Sequence, residues 1–246
     1  MTTAFEHVVV NAKDVDAQAA WWALALGWSE SFRDEWEVDV DAPAGDPPLR
    51  LVFGHAPDAP PHRNRIHLDL ASRDTEHQRE IVTRLLASGA SRADIGQGDV
   101  PWEVLRDPEG NLFCVLEPRP VYAAGAVAAV VVQAVDPERM VTFWQAATGW
   151  ERSDTELVAL RSPGGVYLEL YPVEDRPLAP PEGLDRLHLD VRPAPGAAQA
   201  DEVTRLTGLG AAPLDIAQGD VPWQVMSDPE GNAFCILSTP KEATDG

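Results

Sequence analysis

Two short runs, Arg65-Ile-His-Leu-Asp-Leu70 and Arg186-Leu-His-Leu-Asp-Val191, each set an imidazole two residues from a carboxylate. On a strand, His67 and Asp69 share one face, as do His188 and Asp190, while Leu68, Leu70, Leu189 and Val191 take the other. Such a pair can ligate a metal or work as acid and base. It can equally be a hydrogen-bonded pair that satisfies buried polar groups. Glu169, in Tyr167-Leu-Glu-Leu-Tyr171, is a carboxylate between leucines and is costly to bury without a partner. It should point toward a cation, a ligand or His188, unless its strand is an exposed edge and it is solvated. Glu169, His188, Asp69 and Asp190 are therefore the catalytic candidates.

Other residues carry weaker signals. His7 stands alone on its strand, and a structural role competes with ligation. Cys114 and Cys235 lie in Phe-Cys-Val-Leu and Phe-Cys-Ile-Leu, where cysteine usually packs as a small hydrophobe; a reactive thiol needs an electropositive, accessible setting. Trp102 and Trp223 follow Gly-Asp-Val-Pro loops, where an indole could floor a ligand pocket. Asp99 and Asp220 in those loops read as turn residues. Trp22, Trp28, Trp144 and Trp150 recur at equivalent places and read as packing residues.

These residues are positioned by a duplicated frame. Ile95 to Pro118 recurs as Ile216 to Thr239 with sixteen of 24 positions identical, and the same offset of 121 carries His67-Leu-Asp onto His188-Leu-Asp. A period this long means two complete domains, since a solenoid unit spans about 20–50 residues. The expected domains are 1–120 and 126–240, with a linker near Pro118 to Ala126 where Pro and small residues interrupt the strand pattern.

Within each copy, strands and helices alternate as βαβββ twice over. Asp14 or Asp16 can cap a first helix that Gly27 ends, and in the second copy Asp136, Pro137 and Gly149 do the same. Ile81, Val82, Leu85 and Leu86 mark a helix over Thr75 to Ser88, with Gly89 as its stop. Asp107-Pro-Glu-Gly-Asn111 is a tight turn between the last two strands.

Composition narrows the partners. Forty acidic against 19 basic residues give a formal charge of −21, which argues against nucleic acid and anionic membrane. No apolar run is long enough to span a bilayer, and two cysteines make no disulfide framework. The chain reads as cytoplasmic, and its bias toward Arg, Ala and Pro as that of a bacterial, GC-rich genome.

The element order, the His-x-Asp strands and Asp107-Pro-Glu-Gly-Asn-Leu-Phe-Cys114 resemble the glyoxalase-like domains of the vicinal oxygen chelate superfamily. The resemblance implies an α+β fold of two tandem glyoxalase-like domains, each of paired βαβββ modules forming a cup-like mixed sheet flanked by helices. It also implies a small-molecule ligand, a homodimer as one assembly, and a divalent ion held by four strands. Carried over, that ligand set falls on His7, His67 and Cys114 in the first copy, with Leu51 or Val52 at the fourth-strand place. In the second copy it falls on Glu169, His188 and Cys235, with Ala129 at the first-strand place. Crossing the modules joins His7 to His188 and Cys235, or Glu169 to His67 and Cys114, and again leaves one donor missing.

Zinc could accept three donors with an open position, and iron, nickel or manganese are further candidates, though thiolate disfavours the harder ions. Three functions compete. The first is a metal-dependent lyase, isomerase or dioxygenase, with the ion at Glu169, His188 and a third donor. The second is a metal-free protein that binds or sequesters a small molecule, with no cofactor. The third is an interaction module in which one half is only scaffold.

Overall fold

The computed structural model describes residues 3–56, 65–122, 125–154, 157–174, 185–216 and 219–239. Ala123 and Ala124 of the linker, Ala217 and Gln218 of the repeated stretch, and the expected domain end at 240 lie outside them.

Four βαβββ modules follow one another. The first comprises β1 (Thr3–Ala12), α1 (Val15–Leu26), β2 (Ser29–Arg33), β3 (Glu37–Asp41) and β4 (Arg50–His55). The second comprises β5 (Ile66–Leu70), α2 (Thr75–Ala87), β6 (Ser91–Arg92), β7 (Glu103–Arg106) and β8 (Leu112–Val115). The third comprises β9 (Val127–Ala134), α3 (Pro137–Thr148), β10 (Glu151–Asp154), β11 (Val158–Arg161) and β12 (Tyr167–Pro172). The fourth comprises β13 (Leu187–Pro193), α4 (Gln199–Gly208), β14 (Ala212–Pro213), β15 (Gln224–Ser227) and β16 (Ala233–Ile236).

The modules pair across the repeat. Sheet 1 runs β14-β15-β16-β13-β1-β4-β3-β2, and sheet 2 runs β10-β11-β12-β9-β5-β8-β7-β6. Each sheet thus takes one module from each copy, joined by the antiparallel pairs β1–β13 and β5–β9. The central strands β1 and β9 bond a parallel strand of their own module on the other side. Val8-Val9-Val10 and Val130-Val131-Val132 are accordingly buried on both faces. Unbroken apolar runs of this kind mark strands covered from both sides.

The local signals act as the sequence suggests. The Asp14 side chain accepts from the Ala17 amide, and Gly27 ends α1 in the left-handed region. Asp136 caps α3 ahead of Pro137, and Gly149 closes it. The start of α2 is capped by Asp74, which accepts from the His77 amide. In the Asp107 turn, Oδ1 accepts from the amides of Glu109 and Asn111, and Asn111 Nδ2 donates to Oδ2 at 2.8 Å. Gly110 has φ of 91°, the conformation that reserves the place for glycine.

The backs of the two sheets share one core. Val8, Val10, Leu51, Phe53, Leu189 and Phe234 of sheet 1 join Leu68, Leu70, Phe113, Val130 and Leu168 of sheet 2 in a single buried cluster with the inner faces of the helices. Trp22 of α1 packs edge-on against Phe113 at 5.2 Å, and Trp144 of α3 against Phe234 at 5.5 Å. Trp28 and Trp150 are buried in the same cluster, so the four recurring tryptophans are packing residues. The opposite faces of the sheets form two cups. No helix among the described residues is long and apolar enough to cross a membrane.

Candidate functional site

Strand register fixes what lines each cup. Across sheet 1, Cys235, Asp190 and His7 stand side by side on β16, β13 and β1. The next row is His188, Val9, Val52 and Asp39, on β13, β1, β4 and β3. Across sheet 2, Cys114, Asp69, Ala129 and Tyr167 align, followed by His67, Val131, Glu169 and Ala159. His67, Asp69, His188 and Asp190 thus lie opposite the leucines that enter the core, as the alternation requires.

In the first cup Asp190 is the hub. His7 Nε2 lies 3.0 Å from Asp190 Oδ2, and His188 Nε2 lies 3.4 Å from Oδ1. The Cys235 thiol bonds the same carboxylate, and burial together with that negative charge pushes the thiol well above its ordinary pKa. Asn11 Nδ2 lies 3.4 Å from His188 Nδ1 and donates to the Asp185 carbonyl at 2.7 Å. Burial lowers the pKa of His188, with Asp190 opposing, so the imidazole is neutral near pH 7. On the far side of the cup, Arg50 pairs with Asp39 at 3.2 Å and Asp41 at 2.7 Å. Burial raises the carboxyl of Asp39 in spite of Arg50, and it raises Glu37, which the charges of Asp39 and Asp34 push further.

The second cup is filled. A 3₁₀ turn in the linker, Pro120–Tyr122, inserts Tyr122, which is buried and donates its hydroxyl hydrogen bond to Glu169 Oε1. Tyr122 packs edge-on against Tyr167 at 5.3 Å, within a cluster that includes Val104, Cys114, Leu116, Ala129 and Val131. The Arg119 guanidinium lies 5.9 Å from the rings of both Trp102 and Tyr122 and bonds Glu117 at 2.6 Å. Burial raises Glu169, and the Tyr122 bond counters it. His67 Nε2 lies 3.4 Å from Asp69 Oδ1, and burial and Asp69 raise the Cys114 thiol.

Tested against the quartet of metal ligands that the resemblance implies, neither sheet fits. Val52 occupies in sheet 1 the register position that Glu169 holds in sheet 2, and Leu51 faces the core. Ala129 occupies in sheet 2 the position of His7. Among the described residues two smaller sets remain, His188 with Asp190 and Cys235, and His67 with Asp69 and Cys114, each with donor atoms within 4.8 Å of one another. The expectation of one ion at Glu169 and His188 is corrected: these residues lie in different sheets because the modules exchange. Glu169 turns to Tyr122 rather than to His188.

Trp102 is half-buried at the edge of the filled cup, and Trp223 is half-buried just before β15 of sheet 1. Asp99 and Asp220 are exposed. Sequence reasoning did not single out Tyr122, Arg119, Asn11 or Asp39. An aromatic residue in a proline-flanked linker was the available hint for Tyr122. Asp39 would have needed the strand register.

A fold of paired βαβββ modules with histidines on the hollow face of each sheet defines the glyoxalase-like class. The family model described as Glyoxalase-like domain matches residues 7–116 and 129–237, and the chain belongs to this family through both copies. Among solved structures, maize (Zea mays) glyoxalase I is similar at 15% identity, with 96% of this chain and 92% of that one covered and a TM-score of 0.58. A single-residue variant of the maize enzyme gives the same identity and coverage at 0.60. A Bacillus subtilis protein provisionally described as a dioxygenase is similar at 14% identity, covering 99% and 88% at 0.55. No curated protein sequence matches the chain significantly.

Proposed function

We propose that the chain is a metal-free small-molecule-binding member of the family, with the cup of sheet 1 as its site. The observation that carries this reading is the inequality of the cups: Tyr122 fills that of sheet 2, and the apolar cluster on an outward face is confined to that sheet. In sheet 1 the Nε2 atoms of both imidazoles lie against the protein's own Asp190. Val52 stands where a further carboxylate would complete a metal set.

The test is a thermal-shift screen of a compound library on the wild type and on Val52→Trp, with and without EDTA. A ligand of the native state raises stability by mass action. Hits that survive EDTA and vanish in Val52→Trp support the reading; hits that require added metal overturn it.

A second reading, a lyase, isomerase or dioxygenase using zinc, iron, nickel or manganese, is favoured by the closeness of His188, Asp190 and Cys235. Elemental analysis decides for it if one ion per chain is present in the wild type and absent in Cys235→Ser.

A further inference from the structure

One carboxylate of the first cup keeps a buried oxygen without a hydrogen-bond donor. Asp39 Oδ1 is buried without a partner, whereas Asp190 Oδ1 has His188 Nε2 at 3.4 Å. A carboxylate only accepts, so His7 Nε2, 3.0 Å from Asp190 Oδ2, is the donor of that bond. Burial of an acceptor without a donor is unfavourable. Asp39 is 5% exposed, so bulk water is a poor substitute.

The carboxylates of β3 are not required by the fold. In sheet 2 the register position of Asp39 is held by Ala159, and that of Asp41 by Arg161. Between Asp39 and His188 lie Val52 and Val9, an apolar strip about 10 Å wide by the spacing of strands. Beside Glu37, Trp36 is 69% exposed and lines a crevice of about 440 Å³ with Asp34 and His55, which Lys13 and Arg33 also line. Arg50 pairs with Asp39 and Asp41, and the charges of Asp39 and Asp190 act on Glu37.

We infer that the cup of sheet 1 takes an organic cation, an ammonium or guanidinium group on an apolar body, with the charged head at Asp39 and Glu37 and the body over Val52 and Val9. This rests on the reading of that cup as the binding site. An ammonium supplies three N–H donors and a guanidinium five, which matches an acceptor without a donor. The exposed indole of Trp36 offers a face that attracts organic cations. A bare metal ion would leave the valine strip uncovered.

The test is calorimetric titration with n-hexylammonium, n-hexylguanidinium and neutral n-hexanol, at low and high salt. The cations bind about tenfold more tightly than the alcohol, the size of one charge-assisted hydrogen bond. Asp39→Asn removes that advantage, while Glu103→Gln, a change of equal charge at a half-buried position on sheet 2, retains it. Should Asp39→Asn fail to fold, Glu37→Gln, at a half-buried position, carries the same test with a smaller loss. Equal binding of alcohol and cations, unchanged binding in both variants, or displacement of hexylammonium by millimolar magnesium or calcium overturns the inference. If the cations fail but a neutral or anionic library compound stabilises the wild type and not Val52→Trp, the charge argument falls and the cup remains the site. If no compound does so, both fall.

Discussion

Glu109 of the second module and Arg186 of the fourth form an ion pair at 2.7 Å, in which the arginine side chain is 1% exposed and the glutamate 13%. The same carboxylate accepts from the amides of Lys13 at 3.0 Å and Asp14 at 2.9 Å, just ahead of α1. One side chain in the Asp-Pro-Glu-Gly-Asn turn therefore ties three modules together. Glu230 likewise accepts from the amides of Val135 and Asp136, just ahead of α3.

Removing one partner of a buried pair leaves the other charge without compensation. Glu109→Gln should cost about 3–5 kcal/mol in urea denaturation at pH 7. Burial pushes the Glu109 carboxyl up, but the two amides and Arg186 outweigh it, and the net shift is downward. A depressed carboxyl stabilises the fold above its unfolded value, about 4.3, and loses that contribution as pH falls through the folded value. The gap between wild type and Glu109→Gln should therefore shrink below about pH 4. A gap that is constant with pH contradicts the assignment.

Tyr122→Phe removes the donor that holds Glu169 in the second cup. The loss should be about 1–3 kcal/mol at pH 7, the cost of leaving a buried acceptor unpaired. Burial raises Glu169 in the native state, so its contribution is fully present below the unfolded value and is lost as pH rises through the folded one. Without Tyr122 the carboxyl rises further, and the penalty of the variant should be larger at pH 7 than at pH 4. Denaturation at the two pH values checks this; equal penalties count against the bond.

Both thiols should be unreactive in the folded protein. Burial and the neighbouring carboxylates, Asp69 for Cys114 and Asp190 for Cys235, raise them, and the thiolate is the nucleophile. Iodoacetamide at pH 8 should leave native protein unmodified by mass spectrometry and label both cysteines in urea. Rapid labelling of native Cys235 contradicts the hydrogen bond to Asp190.

Much of this was legible from local chemistry. The period of two placed His67, Asp69, His188 and Asp190 on one side of their strands, and Asp136-Pro137 with Gly149 delimited α3 almost to the residue. The exchange of modules left no local trace, because His7 meets Asp190 across 183 residues and either pairing satisfies the same apolar strands. The partner of Glu169 and the place of Asp39 on the cup face were hidden for the same reason. One depends on a linker tyrosine that carries no motif, and the other on a register set three strands away from His188.

The exchange also bears on what folds alone. Residues 1–122 contain β1 and β5, whose partners β13 and β9 lie in the other copy. Isolated, each strand would expose an unpaired edge, valine-rich in β1, as a template for association. The fragment 1–122 should therefore appear by sedimentation as a dimer of itself or as aggregate, never as a stable monomer. Mixed with 125–246, it should form a one-to-one complex whose circular dichroism and melting resemble those of the intact chain. A monomeric, cooperatively folded 1–122 would mean that each sequence copy closes its own cup, and the shared ownership of the His7–Asp190 pair would fail with it.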